Sequence, residues 1–188
     1  MDKRRARRLH AVYELIGRLN GWIGRGVAWL TLLMVGLTAL VVGLRYGLGQ
    51  GSVALQESVT YLHCMVFMLG AAMTLERGGH VRVDIFYRDW SVPRRALVDL
   101  LGSLLLLIPL MIFTLYSCWG YVADAWAVRE SSIEPGGLHG IYLLKTLIPV
   151  MAVMLLLQGV ADALRNALVL AGLEHGEARP SPAPEGRI

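Results

Sequence analysis

Long segments without a charged residue limit what this chain can fold into. Residues 26–44, 58–75 and 100–123 contain no Asp, Glu, Lys or Arg, and residues 139–161 contain only Lys145. At a rise of 1.5 Å per residue, helices of these lengths extend about 27–36 Å, which matches the hydrocarbon thickness of a bilayer. The sequence therefore predicts an all-α integral membrane protein with four transmembrane helices, over about 26–44, 58–75, 100–123 and 139–161.

The composition supports this prediction. Hydrophobic residues make up 55% of the 188 residues and charged residues 17%, where a soluble domain has roughly 45–50% and about 25%. Such a chain is neither a disordered protein nor an ordinary soluble globule. Both cysteines, Cys64 and Cys118, fall within predicted spans and outside any metal-type spacing, so they are interpreted as small apolar packing residues.

Positive charges predict the orientation of the helices. Seven Lys and Arg lie in residues 1–25, five in 77–95 and three in 165–187, whereas the two remaining connections contain only Arg45 and Arg129. The positive-inside rule therefore places both termini and the middle loop in the cytoplasm. Contact with anionic phospholipids is sufficient to explain the basic segments, and no nucleic-acid partner is predicted.

The segments outside the spans differ from one another. In residues 9–23, apolar side chains recur at a spacing of three and four, with Glu14, Arg18 and Asn20 at intervening positions. This pattern predicts an amphipathic helix in the cytoplasmic interface, with packing on a soluble partner as the alternative. The chain is thus divided into a basic N-terminus (1–25), a four-helix transmembrane domain (26–165) and a cytoplasmic tail (166–188) with a proline-rich, disordered end.

Lys145 requires an explanation, because it lies inside the fourth predicted span. An ammonium group in a membrane either reaches outward to the interface or pairs with a carboxylate at the same depth. Glu57, at the start of the second span, is the favoured partner and Glu130 is the second candidate. Extension of the Lys145 side chain outward to the membrane interface remains the alternative.

The loop after the second span carries alternating polar residues. His80, Arg82 and Asp84 point to one side if the segment is extended, after a pair of glycines. One histidine and one carboxylate are too few for a metal site, and the loop lacks a nucleophile or second base. The segment is interpreted either as a docking element or as a solvated loop.

Two other functions are considered. His63 and His139 leave open a haem-binding cytochrome b-type subunit, but neither has a second histidine one helical repeat away. A self-sufficient four-helix exporter would need an acidic residue in the middle of a span, and the sequence has none. No catalytic residue, metal site or cofactor is predicted.

Several motifs together resemble a known family. They are Gln56-Glu57 before the second span, the segment Phe67-Met68-Leu69-Gly70-Ala71-Ala72 within it, and Gly79-His80-Val81-Arg82-Val83-Asp84 after it. With Trp126, Arg129-Glu130-Ser131 and the Tyr142–Pro149 stretch, they resemble the small membrane subunit of tripartite ATP-independent periplasmic (TRAP) transporters, the DctQ-like family. Members often have two adjacent acids where this chain has Gln56-Glu57.

The resemblance implies a non-catalytic subunit in the bacterial inner membrane. Its partners would be a larger membrane subunit, which holds the sodium and substrate sites, and a periplasmic binding protein that delivers an organic acid. The small subunit would enlarge the fixed scaffold of this sodium-coupled transporter. Residues that become candidates for subunit contacts or helix positioning are Glu57, His80, Arg82, Asp84, Glu130 and Lys145.

Overall fold

The chain folds into a bundle of long helices. A computed structural model describes residues 3–80 and 90–173. The helices are α1 (Lys3–Gly47), α2 (Val53–Glu76), α3 (Val92–Gly102), α4 (Ile108–Ala127) and α5 (Ile141–Leu170), with a π-helical turn at Ser103–Leu107 joining α3 to α4. Within the described residues no strand is found, so the predicted all-α class is confirmed.

Four helical segments are long and apolar enough to cross a membrane. They are Leu9–Gly47, Val53–Glu76, Val92–Ala127 and Ile141–Leu170, and each of them contains nearly all of one predicted span. An apolar helix is the natural form of such segments, because every backbone N–H and C=O is then satisfied without water. The four spanning helices are therefore confirmed, whereas the positions of the membrane surfaces along them stay predictions.

The predicted amphipathic helix and the first span are one helix. α1 runs without a break from Lys3 to Gly47, because no proline interrupts the helix between residues 9 and 44 and no two of its glycines are adjacent. Leu15, Leu19 and Trp22 are exposed on the outside of the bundle, a surface that suits a membrane interface. Contact of this face with lipid headgroups stays a prediction.

The π-helical turn adapts the third span to a proline. Pro109 has no N–H, and its ring clashes with the carbonyl of residue 105 in a regular α-helix. The widened turn at Ser103–Leu107, in which the Ile108 N–H bonds to the Ser103 carbonyl, takes up this misfit. As a result α3 and α4 form one continuous helical segment, Val92–Ala127.

α5 forms the centre of the bundle, since it contacts α1, α2, α3 and α4. Its residues Ala152, Met154 and Leu155 form the buried core with Ala72 of α2 and Met111 of α4. The four spanning segments run alternately up and down along the chain, so residues 3 and 173 lie at the same end. We call this the terminal end, and the opposite end, with loops 48–52 and 128–140, the short-loop end.

Candidate subunit-contact site

Lys145 lies near the short-loop end and forms an ion pair with Glu130. Its Nζ also lies 3.9 Å from the centre of the Tyr121 ring, which provides a cation–π contact. The Lys145 side chain is only 15% exposed. The predicted pairing with a carboxylate thus occurs, but the favoured partner, Glu57, is wrong and the second candidate is right.

The end of α4 explains why Glu130 reaches Lys145. Arg129 follows the helix with a φ of +45°, and the Glu130 N–H bonds to the Ala125 carbonyl at 2.9 Å. This is the Schellman pattern of a helix C-terminus, with arginine where glycine is usual. It turns the chain back toward α5, so that Glu130 lies beside the second turn of that helix.

Two aromatic side chains hold the same helix ends together. The Trp126 indole Nε1 donates a hydrogen bond to the Thr146 hydroxyl at 2.9 Å. Its ring packs edge-on against Tyr142, with centroids 4.8 Å apart. Because Thr146 directly follows Lys145, the tryptophan also fixes the turn of α5 from which the lysine projects.

We expect Glu130→Gln to lower the thermal stability of the purified protein in detergent. The substitution leaves the largely buried Lys145 ammonium without its counter-charge, which is costly in a site of low polarity. Adding Lys145→Met to Glu130→Gln should restore much of the loss, because the unpaired charge is then removed. Thermal unfolding followed by tryptophan fluorescence measures this. Equal melting temperatures for Glu130→Gln and wild type would contradict a stabilising pair.

Glu57 instead holds the loop between α4 and α5. One carboxylate oxygen, Oε2, accepts a hydrogen bond from the Leu138 backbone N–H at 2.6 Å. The other, Oε1, accepts one from the Ser132 hydroxyl. Glu57 lies on the first turns of α2, so these bonds attach the loop to a second helix.

A close approach at Gly137 makes these bonds possible. A Cβ atom at this position would lie 2.8 Å from the Glu57 Oε2 and would also overlap Ser132. The loop backbone can therefore approach the carboxylate only with glycine here. Glu57 and Glu130 thus act together on the position of one loop, each through a different helix.

The remaining sequence candidates lie at the terminal end. His80 is exposed and follows the end of α2, where Gly78 has a φ of +67° and the Gly79 N–H bonds to the Thr74 carbonyl at 2.8 Å. The glycine pair is therefore a helix cap. Arg82 and Asp84 lie outside the described residues, as does the predicted disordered end of the tail, so the docking interpretation of the loop stays a prediction.

A buried polar chain at the terminal end is absent from the sequence predictions. The Asn20 Nδ2 donates to the Gln158 Oε1 at 2.9 Å, and the Gln158 Nε2 donates to the Asp162 Oδ1 at 3.1 Å. Asn20 is 1% exposed and Gln158 3%. These three residues connect α1 to α5. The glutamine in an otherwise apolar segment was the available signal.

A comparison with protein families identifies the family of this chain. Residues 34–168 match the model described as tripartite ATP-independent periplasmic transporters, DctQ component. The chain belongs to the DctQ family. No curated protein and no solved structure matches it.

Family membership gives this DctQ component its general role. It is a multi-pass membrane component of a tripartite transporter, in a family of transporter components and not of enzymes. The matched region includes Glu57, Glu130, Lys145 and Gln158, but begins after Asn20. Among the described residues no group of three or more His, Cys, Asp or Glu is placed to hold a metal ion, and His63 and His139 are both exposed.

Proposed function

We propose that this DctQ component is the small, non-catalytic permease subunit of a sodium-coupled transporter that takes up organic acids. In this role it enlarges the fixed scaffold around a larger membrane subunit, which holds the sodium and substrate sites. A periplasmic binding protein delivers the substrate to the two membrane subunits. The proposal joins the family membership to the arrangement of the polar residues in the bundle.

The observation that carries the scaffold role is the use of polar groups for internal contacts. Lys145 pairs with Glu130, and the Asn20–Gln158–Asp162 chain joins two helices. α2 and α5 are continuous helices. Secondary transporters commonly bind ions and substrates where a spanning helix is unwound. Continuous helices joined by internal polar contacts support a scaffold rather than a transport pathway.

The charges support an orientation with the terminal end in the cytoplasm of a bacterial inner membrane. Fifteen Lys and Arg belong to the segments at that end, namely seven in 1–25, five in 77–95 and three in 165–187. The short-loop end has Arg45 and Arg129. The loop held by Glu57 and Glu130 would then face the periplasm, the compartment of the binding protein, and the basic N-terminus would contact anionic phospholipids.

Reconstitution into proteoliposomes tests the proposal. With an inward sodium gradient, we expect uptake from a panel of radiolabelled carboxylic acids only when this chain, the large membrane subunit and the binding protein are all present. The large subunit should also co-purify with an affinity-tagged form of this chain in detergent. Uptake by this chain alone would refute the scaffold role, and so would full uptake in its absence.

A further inference from the structure

One face of α2 is exposed along the length of the helix and carries polar residues. Gln56, Thr60, His63 and Phe67 are exposed, and Gly70 continues the same row, where an added Cβ would meet nothing within 4 Å. Their spacing of three and four places them on one side of the helix. We call these five residues the α2 stripe.

The centre of the α2 stripe lies inside the predicted second span. His63 is ten residues from Val53 and thirteen from Glu76, the two ends of α2. At 1.5 Å per residue it is about 15 Å from one end and about 20 Å from the other. Counted from the charged boundary at Glu57, His63 is six residues or about 9 Å into the predicted second span (58–75), so the imidazole lies within the predicted hydrocarbon region.

Lipid is an unfavourable environment for the exposed His63 side chain. The His63 ring stacks on the Phe67 ring with centroids 6.4 Å apart, and within the described part of the chain it makes no hydrogen bond to another side chain. Among the described residues, the Thr60 hydroxyl bonds only to the Gln56 carbonyl of its own helix, at 3.4 Å. Acyl chains offer an imidazole no hydrogen-bonding partner, whereas a neighbouring helix does.

The exposed face of α4 is mostly apolar and aromatic, with Ser117 as an exposed polar residue. Ile112 and Phe113 are 54% and 64% exposed, and Tyr116 and Trp119 follow toward the short-loop end. Apolar side chains at mid-depth with aromatic residues nearer the interface are typical of a surface in contact with lipid. Two exposed faces of the same bundle thus differ in chemistry within the predicted spans.

A groove adjoins the α2 stripe. It lies between α1 and α2, has a volume of about 540 Å³, and is lined by Ala28 and Thr31 of α1 and by Phe67, Gly70, Ala71 and Thr74 of α2. Small side chains along such a groove allow another helix to approach closely. The groove accommodates the ridge of a helix, and the stripe beside it supplies hydrogen-bonding groups.

We propose that the α2 stripe and the adjoining groove bind one transmembrane helix of the large membrane subunit, with a hydrogen-bonding side chain of that helix opposite His63. This inference rests on the proposed function, which supplies the second membrane subunit. Exposed polar groups inside a predicted span favour a protein neighbour over lipid, and membership in a tripartite transporter favours a different chain over a second copy of this one. The exposed face of α4 then contacts lipid.

A matched pair of glycine substitutions tests the groove. Gly70→Leu and Gly120→Leu, the latter on the α4 face, both add a Cβ that meets nothing within 4 Å. Both variants should therefore fold, with melting temperatures near that of the wild type. In co-purification through a tagged large subunit, we expect Gly70→Leu to reduce recovery of this chain about tenfold, as overpacking of a helix contact does, and Gly120→Leu to leave recovery unchanged.

Site-specific photocross-linking identifies the occupant. A photoreactive phenylalanine analogue replaces His63 in one variant and Tyr116 on the α4 face in the other. An adduct with the large subunit from position 63 supports the inference. If the wild-type subunits co-purify but position 63 gives no such adduct, or gives only an adduct of two copies of this chain, the inference is wrong and the proposed function stands. Failure of the wild-type subunits to co-purify refutes both.

Discussion

Gln158→Leu is expected to lower the free energy of unfolding of the protein by about 2 kcal/mol. Leucine preserves the approximate size of the side chain but removes the acceptor of the Asn20 amide and a donor to Asp162, at distances of 2.9 and 3.1 Å in the intact chain. Asn20 is 1% exposed, so water cannot replace the lost acceptor. Equilibrium unfolding in mixed detergent micelles, titrated with a denaturing detergent, measures the change.

Two further variants separate the hydrogen bonds from the shape of the side chain. Gln56→Leu makes the same chemical change at an exposed position of α2 and should leave the free energy of unfolding nearly unchanged. Asn20→Leu combined with Gln158→Leu removes both amides, so it should cost less than the sum of the two single changes. Strict additivity would show that the two side chains do not stabilise each other.

The hydropathy of the chain predicts its helices well, and the reason is physical. A chain in hydrocarbon must satisfy its backbone groups internally, so long apolar segments become helices whatever their neighbours are. The same reasoning predicts that Lys145 either reaches outward or pairs with a carboxylate, and the ion pair with Glu130 shows which of the two occurs. Depth along a helix can be read from the sequence, because it depends only on counting residues from a charged boundary.

The direction of a side chain around the helix axis cannot be read from the sequence by counting residues. Glu57 and Glu130 lie at similar depth, and what selects Glu130 for Lys145 is the turn at Arg129, with its positive φ. Arginine gives no sequence signal for that conformation, which is usually a glycine property. The predicted Glu57–Lys145 pair is wrong for the same reason. The carboxylate oxygens of Glu57 accept hydrogen bonds from a loop whose path depends on Gly137.

Asn20 shows a related difficulty. In an amphipathic pattern, a polar residue is expected to face water or headgroups. Here the helix continues into the bundle, and Asn20 lies on its inner side against Gln158, while Leu19 and Trp22 are exposed. The spacing predicts a two-faced helix, but which face packs against protein depends on the polar partner that α5 provides.

Gly24→Ala is expected to weaken the packing of α1 against α2 and to lower the free energy of unfolding by about 2 kcal/mol. A Cβ atom at this position would lie 2.8 Å from the Cγ of Met73 and nearer still to its Cβ. The far end of a methionine can move aside, but its Cβ is fixed to the backbone of α2, so the two helices must separate or shift. The same detergent titration measures the loss.

Gly26→Ala supplies the control, because it lies two residues further along α1 and an added Cβ there would meet nothing within 4 Å. Alanine is a better helix former than glycine by about 0.5–1 kcal/mol, so this variant should be as stable as the wild type or slightly more stable. The difference between the two alanine variants therefore isolates the contact with Met73 from any effect of helix propensity. Equal stability of both variants would mean that α1 and α2 do not approach closely at Gly24, and the antiparallel packing that aligns the α2 stripe with the groove would then need a different register.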